Sequence, residues 1–313
     1  MSAGEARAAS VPAGSPGGAA RRWHALIRER FPPAAYVPMA ALFVLGNGAY
    51  AVAVHGAAPA WWRFGVALVL ALSFFFRLRL FDEIKDHEVD LAVHPERPLA
   101  RGLLSPVELK RVIYGLTGLE LLLAAALGWA LVLAHALAVA YSYLMYNEFF
   151  IGRWLRPRLT TYAVTHTFVS ALLGLSVAAV ASGRGLGALG WRVLAFGAVN
   201  WALFNVFEFA RKTFAPAEER PGVESYSKIF GPAGAALLTA SQLAVALAVL
   251  AVLGVPGRGA AALGWQLGLL AVVVLPALAY ALRPVPPAAR VFRAAASAYL
   301  VLFFAVLSVQ LLA

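Results

Sequence analysis

The chain contains no cysteine, which excludes disulfides, thiolate nucleophiles and thiolate-held zinc or iron–sulfur centres. Any metal must be bound by oxygen or imidazole. Charge is scarce as well: Asp, Glu, Lys and Arg make up 13% of the 313 residues, where soluble chains carry about 25%. Acidic residues are the scarcer sign, 15 against 26 basic ones, which leaves a formal charge of +11. What fills the chain instead is apolar, 62% of residues with a mean hydropathy of +0.77. That composition excludes a soluble enzyme and makes a bilayer the natural solvent.

Residues 1–32 are small, polar and basic, without the apolar core or small-residue cleavage site of a signal peptide. They are expected to be a disordered cytoplasmic tail. After Pro32 and Pro33 come nine apolar stretches, near 34–56, 60–81, 109–129, 131–150, 160–181, 187–210, 231–253, 261–282 and 291–312. Each approaches the roughly 20 residues that cross a bilayer as a helix, and the alternation of a membrane barrel is absent. The expectation is an all-α integral membrane protein, with residues 33–313 forming one nine-helix catalytic domain.

With nine spans, the tail and the connections after even-numbered spans share one side. That side holds 22 of the 26 basic residues, leaving Arg63, Arg184, Arg192 and Arg258 for the other. The positive-inside rule then places the amino terminus and these loops in the cytoplasm. The Ala, Arg and Gly usage suggests a bacterial plasma membrane.

The carboxylates gather on the same side. Span two leaves the membrane through Arg77-Leu-Arg-Leu-Phe-Asp-Glu-Ile-Lys-Asp-His-Glu-Val-Asp90. On a continuous helix Asp82, Glu83, Asp86 and Asp90 fall within about 100° of one another. Two such charges 5–6 Å apart repel by roughly 3 kcal/mol at an effective dielectric of 20, so this face calls for a cation. Mg²⁺ suits it, because it accepts one or two carboxylates and takes further oxygens from water and phosphate. A solvated acidic helix end is the alternative. At the end of span six, Asn205, Glu208, Arg211 and Lys212 share a 120° face, an acid with two bases that suits a metal plus a phosphate. Its alternative is a headgroup anchor with Glu208 paired to Arg211.

These two stretches resemble the UbiA superfamily of intramembrane prenyltransferases. Its first motif, Asn-Asp-x-x-Asp-x-x-x-Asp followed by an Arg-Pro-Leu-Pro-x-Gly turn, is matched by Asp82-Glu83-x-x-Asp86-x-x-x-Asp90 and Arg97-Pro98-Leu99-Ala100-Arg101-Gly102. Its second, an acidic run before Gly-x-x-Ser and Phe-Gly, is matched by Glu218-Glu219, Gly222-x-x-Ser225 and Phe230-Gly231. The resemblance implies a nine-helix bundle whose active-site mouth faces the cytoplasm. It also implies that Mg²⁺ helps ionise an isoprenyl diphosphate, with farnesyl diphosphate a candidate. The metal roles fall to Asp82, Glu83, Asp86, Asp90, Glu208 and Glu218, and the diphosphate to Lys85, Arg97, Arg101, Arg211, Lys212 and Lys228. Departures from the family's wording, with Asn147-Glu-Phe-Phe-Ile-Gly-Arg-Trp-Leu-Arg-Pro-Arg158, resemble the branch containing membrane-bound terpene cyclases.

Besides Asn205, the residues Tyr143, Tyr146, Asn147, Glu148 and Arg153 are expected to line the mouth. Glu120 and Asn47 are costly in lipid and are either functional or tied by interhelical hydrogen bonds. His166 is read as a hydrogen-bonded packing residue rather than a base. Intramolecular cyclisation to a terpene is the preferred reaction, prenyl transfer to an aromatic or lipid acceptor the second. A divalent-ion carrier is disfavoured because both acidic motifs lie at one mouth rather than near the midplane. Membrane lipid is an expected partner, and nucleic acid is not.

Overall fold

Lipid offers no partners to backbone N–H and C=O groups, so each apolar stretch must close its own hydrogen bonds. The computed structural model describes residues 16–313, and among them every regular element is helical. In chain order the α-helices are α1 (Pro16–Arg30), α2 (Pro33–Val54), α3 (Trp61–Lys85), α4 (His87–Val93), α5 (Pro106–Leu127), α6 (Trp129–Tyr146), α7 (Gly152–Leu155), α8 (Leu159–Thr167), α9 (Val169–Ser182), α10 (Gly190–Arg211), α11 (Tyr226–Leu253), α12 (Ala260–Leu269), α13 (Ala271–Leu282) and α14 (Pro286–Leu312).

Eight stretches among the described residues are long and apolar enough to cross a membrane: α2, α3, α6, α8 with α9, α10, α11, α12 with α13, and α14. Each coincides with an expected span. The stretch expected at 109–129 is the 22-residue helix α5, which is not among the eight. Every 18-residue stretch of it carries at least three of the charges Glu108, Lys110, Arg111 and Glu120, so the count of nine rests on α5 alone. Its start is fixed by a capping box, in which Ser105 Oγ accepts from the Glu108 N–H and the Glu108 carboxylate accepts from the Ser105 N–H.

Successive spans pack side by side, and α14 returns to α2, so the spans close a ring, with α9 against α2, α3, α6 and α10. Alternating direction brings the C-termini of α3, α6, α10 and α13 and the N-termini of α5, α8, α11 and α14 to one end. At the other end Trp61, Trp129 and Trp191 begin or nearly begin their helices and are exposed, as befits a membrane interface.

Two of the spans are broken near that first end. Span five is interrupted after Thr167, where Thr165 Oγ1, His166 Nδ1 and Thr167 Oγ1 bond the carbonyls of Thr161, Tyr162 and Ala163, four residues back. Side chains that take i−4 carbonyls bend a helix. At the start of α11, Gly231 has φ 70°, because the following Pro232 expels it from the helical region and only glycine adopts that φ cheaply.

The tail departs from expectation. Residues 1–15 lie outside the described residues, but Pro16–Arg30 is a helix rather than a disordered segment. Trp23, Leu26 and Ile27 give it an apolar stripe at helical spacing, which packs on a cluster of Leu80, Leu99, Leu104 and Leu109. Three ion pairs fasten it: Arg22 to Glu108 at 3.0 Å, Arg30 to Glu83 at 2.5 Å and Glu29 to Arg101 at 2.7 Å.

Candidate active site

At the end where these helix termini meet, a cavity of about 410 Å³ opens between α3, α6, α8, α9 and α10. The face that α3 turns toward it is set by helical spacing: Phe74, Leu78, Phe81, Asp82 and Lys85 recur every three or four residues. On α10 the stripe is Phe204, Phe207, Glu208 and Arg211, with Lys212 at its end. The mouth therefore holds four cations, Arg79, Lys85, Arg211 and Lys212, against two carboxylates, Asp82 and Glu208. Below it the walls are aromatic, with Phe74, Phe75, Phe81, Phe204 and Phe207.

The mouth is a network in which cations outnumber anions. Glu208 is bound by Lys212 at 3.0 Å and by Arg211 through both carboxylate oxygens. Lys85 Nζ donates to Tyr162 Oη at 2.8 Å and lies 3.7 Å from Glu148, which in turn accepts from Arg156 at 2.7 Å. To turn its carboxylate there, the chain runs through Glu148, Phe149 and Phe150 at φ 50°, 53° and 58°. Such left-handed residues cost about 1–2 kcal/mol each, so the surrounding contacts must hold them.

Of the residues expected from sequence, Asp82, Lys85, Glu208, Arg211, Lys212 and Tyr146 line the cavity. Tyr146 stacks on Phe81 at 4.5 Å. Asp86 is exposed at the junction of α3 and α4, one turn beyond Asp82.

The other expected residues lie elsewhere, and the reasons are geometric. Glu83 is about 100° round the helix from Asp82, which points it away from the cavity to Arg30 and to Arg79 at 3.3 Å. The helix does not continue to Asp90; it breaks at Asp86, and Asp90 is buried against Arg97 at 2.6 Å, so neither serves the mouth. Arg101 is committed to Glu29 and to the Glu96 carbonyl. Lys228 caps the loop before α11 through the carbonyls of Arg220 and Val223. Asn205, at the edge of the α10 stripe, bonds Thr167 and Gln242. Tyr143 reaches Thr117 on α5 at 2.9 Å, and Asn147 turns back to the Tyr143 carbonyl. Arg153 is exposed to the side, and Glu148 acts on the mouth through Lys85.

Glu218, expected as a metal ligand, is instead a brace. Both its oxygens accept from Arg293 on α14, at 2.9 and 3.0 Å, and one also accepts from the Ala215 N–H. The neighbouring Glu219 accepts from Ser225 and Ser227 at 2.6 Å each. The Arg293 hydrogen bonds hold the Glu218 carboxyl below its ordinary value. A carboxyl depressed in the folded state stabilises the fold above its unfolded pKa, and that contribution is lost as pH falls through the folded value. Thermal unfolding in detergent should therefore show a melting point that drops below about pH 4.5, with Glu218→Gln having a lower melting point at pH 7 and a shallower acid-side slope.

Among the described residues no three His, Asp or Glu side chains converge as a preformed metal centre. The hard oxygens at the mouth are nevertheless Asp82, whose side chain is 59% exposed with Arg79 at 3.8 Å, exposed Asp86, and Glu208, which Arg211 and Lys212 would have to share with an ion. This set fits Mg²⁺ arriving with a phosphorylated ligand, which needs only one or two carboxylates from protein.

Sequence reasoning missed Arg79, Tyr162 and the cavity position of His166. Tyr162 and His166 are four residues apart on one face of α8, and that spacing, beside a span rich in Thr, was the available signal. The costly intramembrane residues resolve to interhelical bonds: Asn47 Oδ1 accepts from Asn200 at 2.6 Å, and Glu120 is bound by Arg77 at 3.0 Å.

A model of the UbiA prenyltransferase family matches residues 39–307. No curated protein matches the chain in sequence. Among solved structures, the apo form of a UbiA homologue from Aeropyrum pernix K1 superposes with a TM-score of 0.60 at 15% identity, covering 87% of this chain and 96% of that one. A digeranylgeranylglyceryl phosphate synthase superposes with a TM-score of 0.59 at 14% identity, covering 93% and 99%. At these identities the likeness is one of fold.

Proposed function

Because the chain belongs to the UbiA prenyltransferase family, we propose that it ionises an isoprenyl diphosphate at this mouth and transfers the prenyl group to an acceptor in the membrane. Family members use isoprenyl diphosphates in membranes and generally use Mg²⁺. The observation that carries the reading is the vertical division of the cavity, four cations and two carboxylates above an aromatic chamber. Diphosphate is a poor leaving group until its charge is neutralised, and cations already positioned at the mouth supply that with little reorganisation. The chamber below matches an isoprenoid tail and shields an allylic cation from water. The basic side carrying the mouth supports a cytoplasmic orientation.

Asp82, Asp86 and Glu208 are the residues that would hold Mg²⁺, and the ion when bound would spread the charge building on the departing diphosphate. Arg211 and Lys212, now on Glu208, and Lys85, on Tyr162, are close enough to turn onto phosphate oxygens. Arg forks onto two oxygens and Lys supplies a point charge.

Transfer is preferred over cyclisation because an acceptor needs polar groups beside the tail, and His166, Thr167, Ser170 and Ser142 supply them among the apolar walls. The aromatic rings favour cyclisation as the second reading, since their faces stabilise a carbocation. Purified protein given Mg²⁺ and C10, C15 or C20 prenyl diphosphates should release diphosphate and prenylate an aromatic or lipid hydroxyl acceptor, with release stopped by a chelator. Hydrocarbon formed without acceptor would shift the assignment to cyclisation. No diphosphate from any chain length would sink both.

A further inference from the structure

The cavity has a floor, and four helices reach it at one level. Its deepest lining residues are Phe74 and Phe75 on α3, Ser142 on α6, Leu173 on α9 and Phe204 on α10. One turn farther from the mouth the same helices present Ala71, Ala138, Val177 and Asn200, which are buried and do not line it. That level is filled. Asn200 donates to Asn47 at 2.6 Å, and a Cβ on Gly174 would collide with the Asn200 amide nitrogen.

Phe43 of α2 closes the floor from the side. Its buried ring lies edge-on to Phe75 at 6.0 Å, to Phe204 at 5.9 Å and to Phe304 of α14 at 5.4 Å. One ring thus ties the lining aromatics of α3 and α10 together in the edge-to-face geometry that aromatic pairs prefer. Rings packed to interior density have no free space to swing into.

The floor fixes a depth. From Asp82 to Phe74 is eight residues of helix, about 12 Å, and from Tyr162 to Leu173 along the bent α8 and α9 is no more than about 16 Å. An isoprene unit has four main-chain carbons and spans about 5 Å when extended. A chain whose diphosphate is held at the mouth therefore places two to three units above the floor. We infer that the protein takes prenyl diphosphates of at most three isoprene units, and that Phe75 and Phe204, backed by Phe43, set that limit. The inference rests on the proposed function and names the substrate class for the same site. A fourth unit must either force the packed rings off their rotamers or stay among the charges of the mouth, and both are unfavourable. A two-unit chain fits but leaves the floor rings uncovered and forfeits apolar burial. The farnesyl chain is the best match.

The test measures kcat/KM for diphosphate release by purified full-length protein in nanodiscs, with Mg²⁺, an aromatic or lipid hydroxyl acceptor, and C10, C15, C20 or C30 prenyl diphosphate. Wild type should favour C15 over C20 by about tenfold or more. In Phe75→Ala and Phe204→Ala, which open space toward Phe43, C20 should be used about as well as C15. The ratio of the two substrates is read on the same molecules, so a loss of folded protein does not move it. If the alanine variants do not fold, judged by their melting points, Phe75→Leu and Phe204→Leu should shift the ratio in the same direction. Equal use of C15, C20 and C30 by wild type overturns the inference while leaving the ionisation reading intact, because the tail must then leave the cavity between helices into lipid. A wild-type preference unchanged in every folded variant overturns the role of the two rings. Absence of diphosphate release from any chain length overturns the proposed function and this limit with it.

Discussion

Asp82→Asn should lower diphosphate release by about a hundred- to a thousandfold and leave the melting point almost unchanged. Asp82 lines the cavity from the last turn of α3, with its carboxylate largely in solvent and no partner nearer than Arg79 at 3.8 Å. Little in the fold depends on it, so the isosteric amide removes a charge at the mouth and nothing else. Glu83→Gln, one position along, should do the reverse. Its carboxylate is fully buried and ties α1 to α3 through Arg30 and Arg79, so its loss should lower the melting point while the activity per folded molecule survives. Asp90→Asn should behave like Glu83→Gln, because Asp90 is occupied by Arg97. Melting curves and rates normalised to folded protein separate the two classes. Equal rate losses at Asp82, Glu83 and Asp90 would make the acidic motif one metal face and contradict the division of roles between Asp82 and its two neighbours.

That contrast also marks how far the sequence alone reaches. The spans are legible because lipid makes length and apolarity decisive; the stretch expected at 160–181 is Leu159–Ser182, and that at 291–312 lies within Pro286–Leu312. The acidic motif is legible as a cluster, since 100° per residue puts its carboxylates on one side. Which edge of that side meets the cavity depends on how α3 is rotated against α6 and α10, and on the break at Asp86. Neither is written in local spacing. The same limit explains Asn205, which sits on the expected face of α10 yet at its edge, where Thr167 and Gln242 claim it. Glu218 was lost for a different reason. Its partner Arg293 is 75 residues away on α14, and no local pattern announces an ion pair of that range. The helix at Pro16–Arg30 was hidden by composition, because a basic helix whose only apolar stripe is Trp23, Leu26 and Ile27 reads as a tail until the cluster it covers is in view.

Arg77→Met or Glu120→Leu alone should destabilise the protein by about 3–5 kcal/mol, and the two together should recover most of that loss. Arg77 and Glu120 are both fully buried inside the helix ring, joined at 3.0 Å, with Arg77 Nη1 donating to Ser142 at 2.6 Å and Glu120 accepting from Ser73 at 2.7 Å. His135 Nε2, 3.4 Å from Glu120, adds a donor, and its Nδ1 meets Ser176 at 2.9 Å. The guanidinium also lies 4.6 Å from the Phe74 ring, on the cavity wall. Every charge here is compensated, so the pair itself is worth little more than well-packed apolar side chains would be. Removing one partner is different, because it strands an ion where no water reaches, and lipid beyond the helices offers nothing to solvate it. Paired Met and Leu would fill comparable volume without stranding a charge, leaving the hydroxyls of Ser73 and Ser142 and the Nε2 of His135 to find other partners. The double-mutant cycle, read by thermal unfolding in detergent, should therefore show a coupling of several kcal/mol. A double variant as unstable as the sum of the two singles would mean that the network is held by its separate serine and histidine contacts and not by the ion pair. Recovery without coupling to activity would fit a brace behind the Phe74 wall, whereas loss of diphosphate release in a stable double variant would draw Arg77 into the chemistry of the cavity.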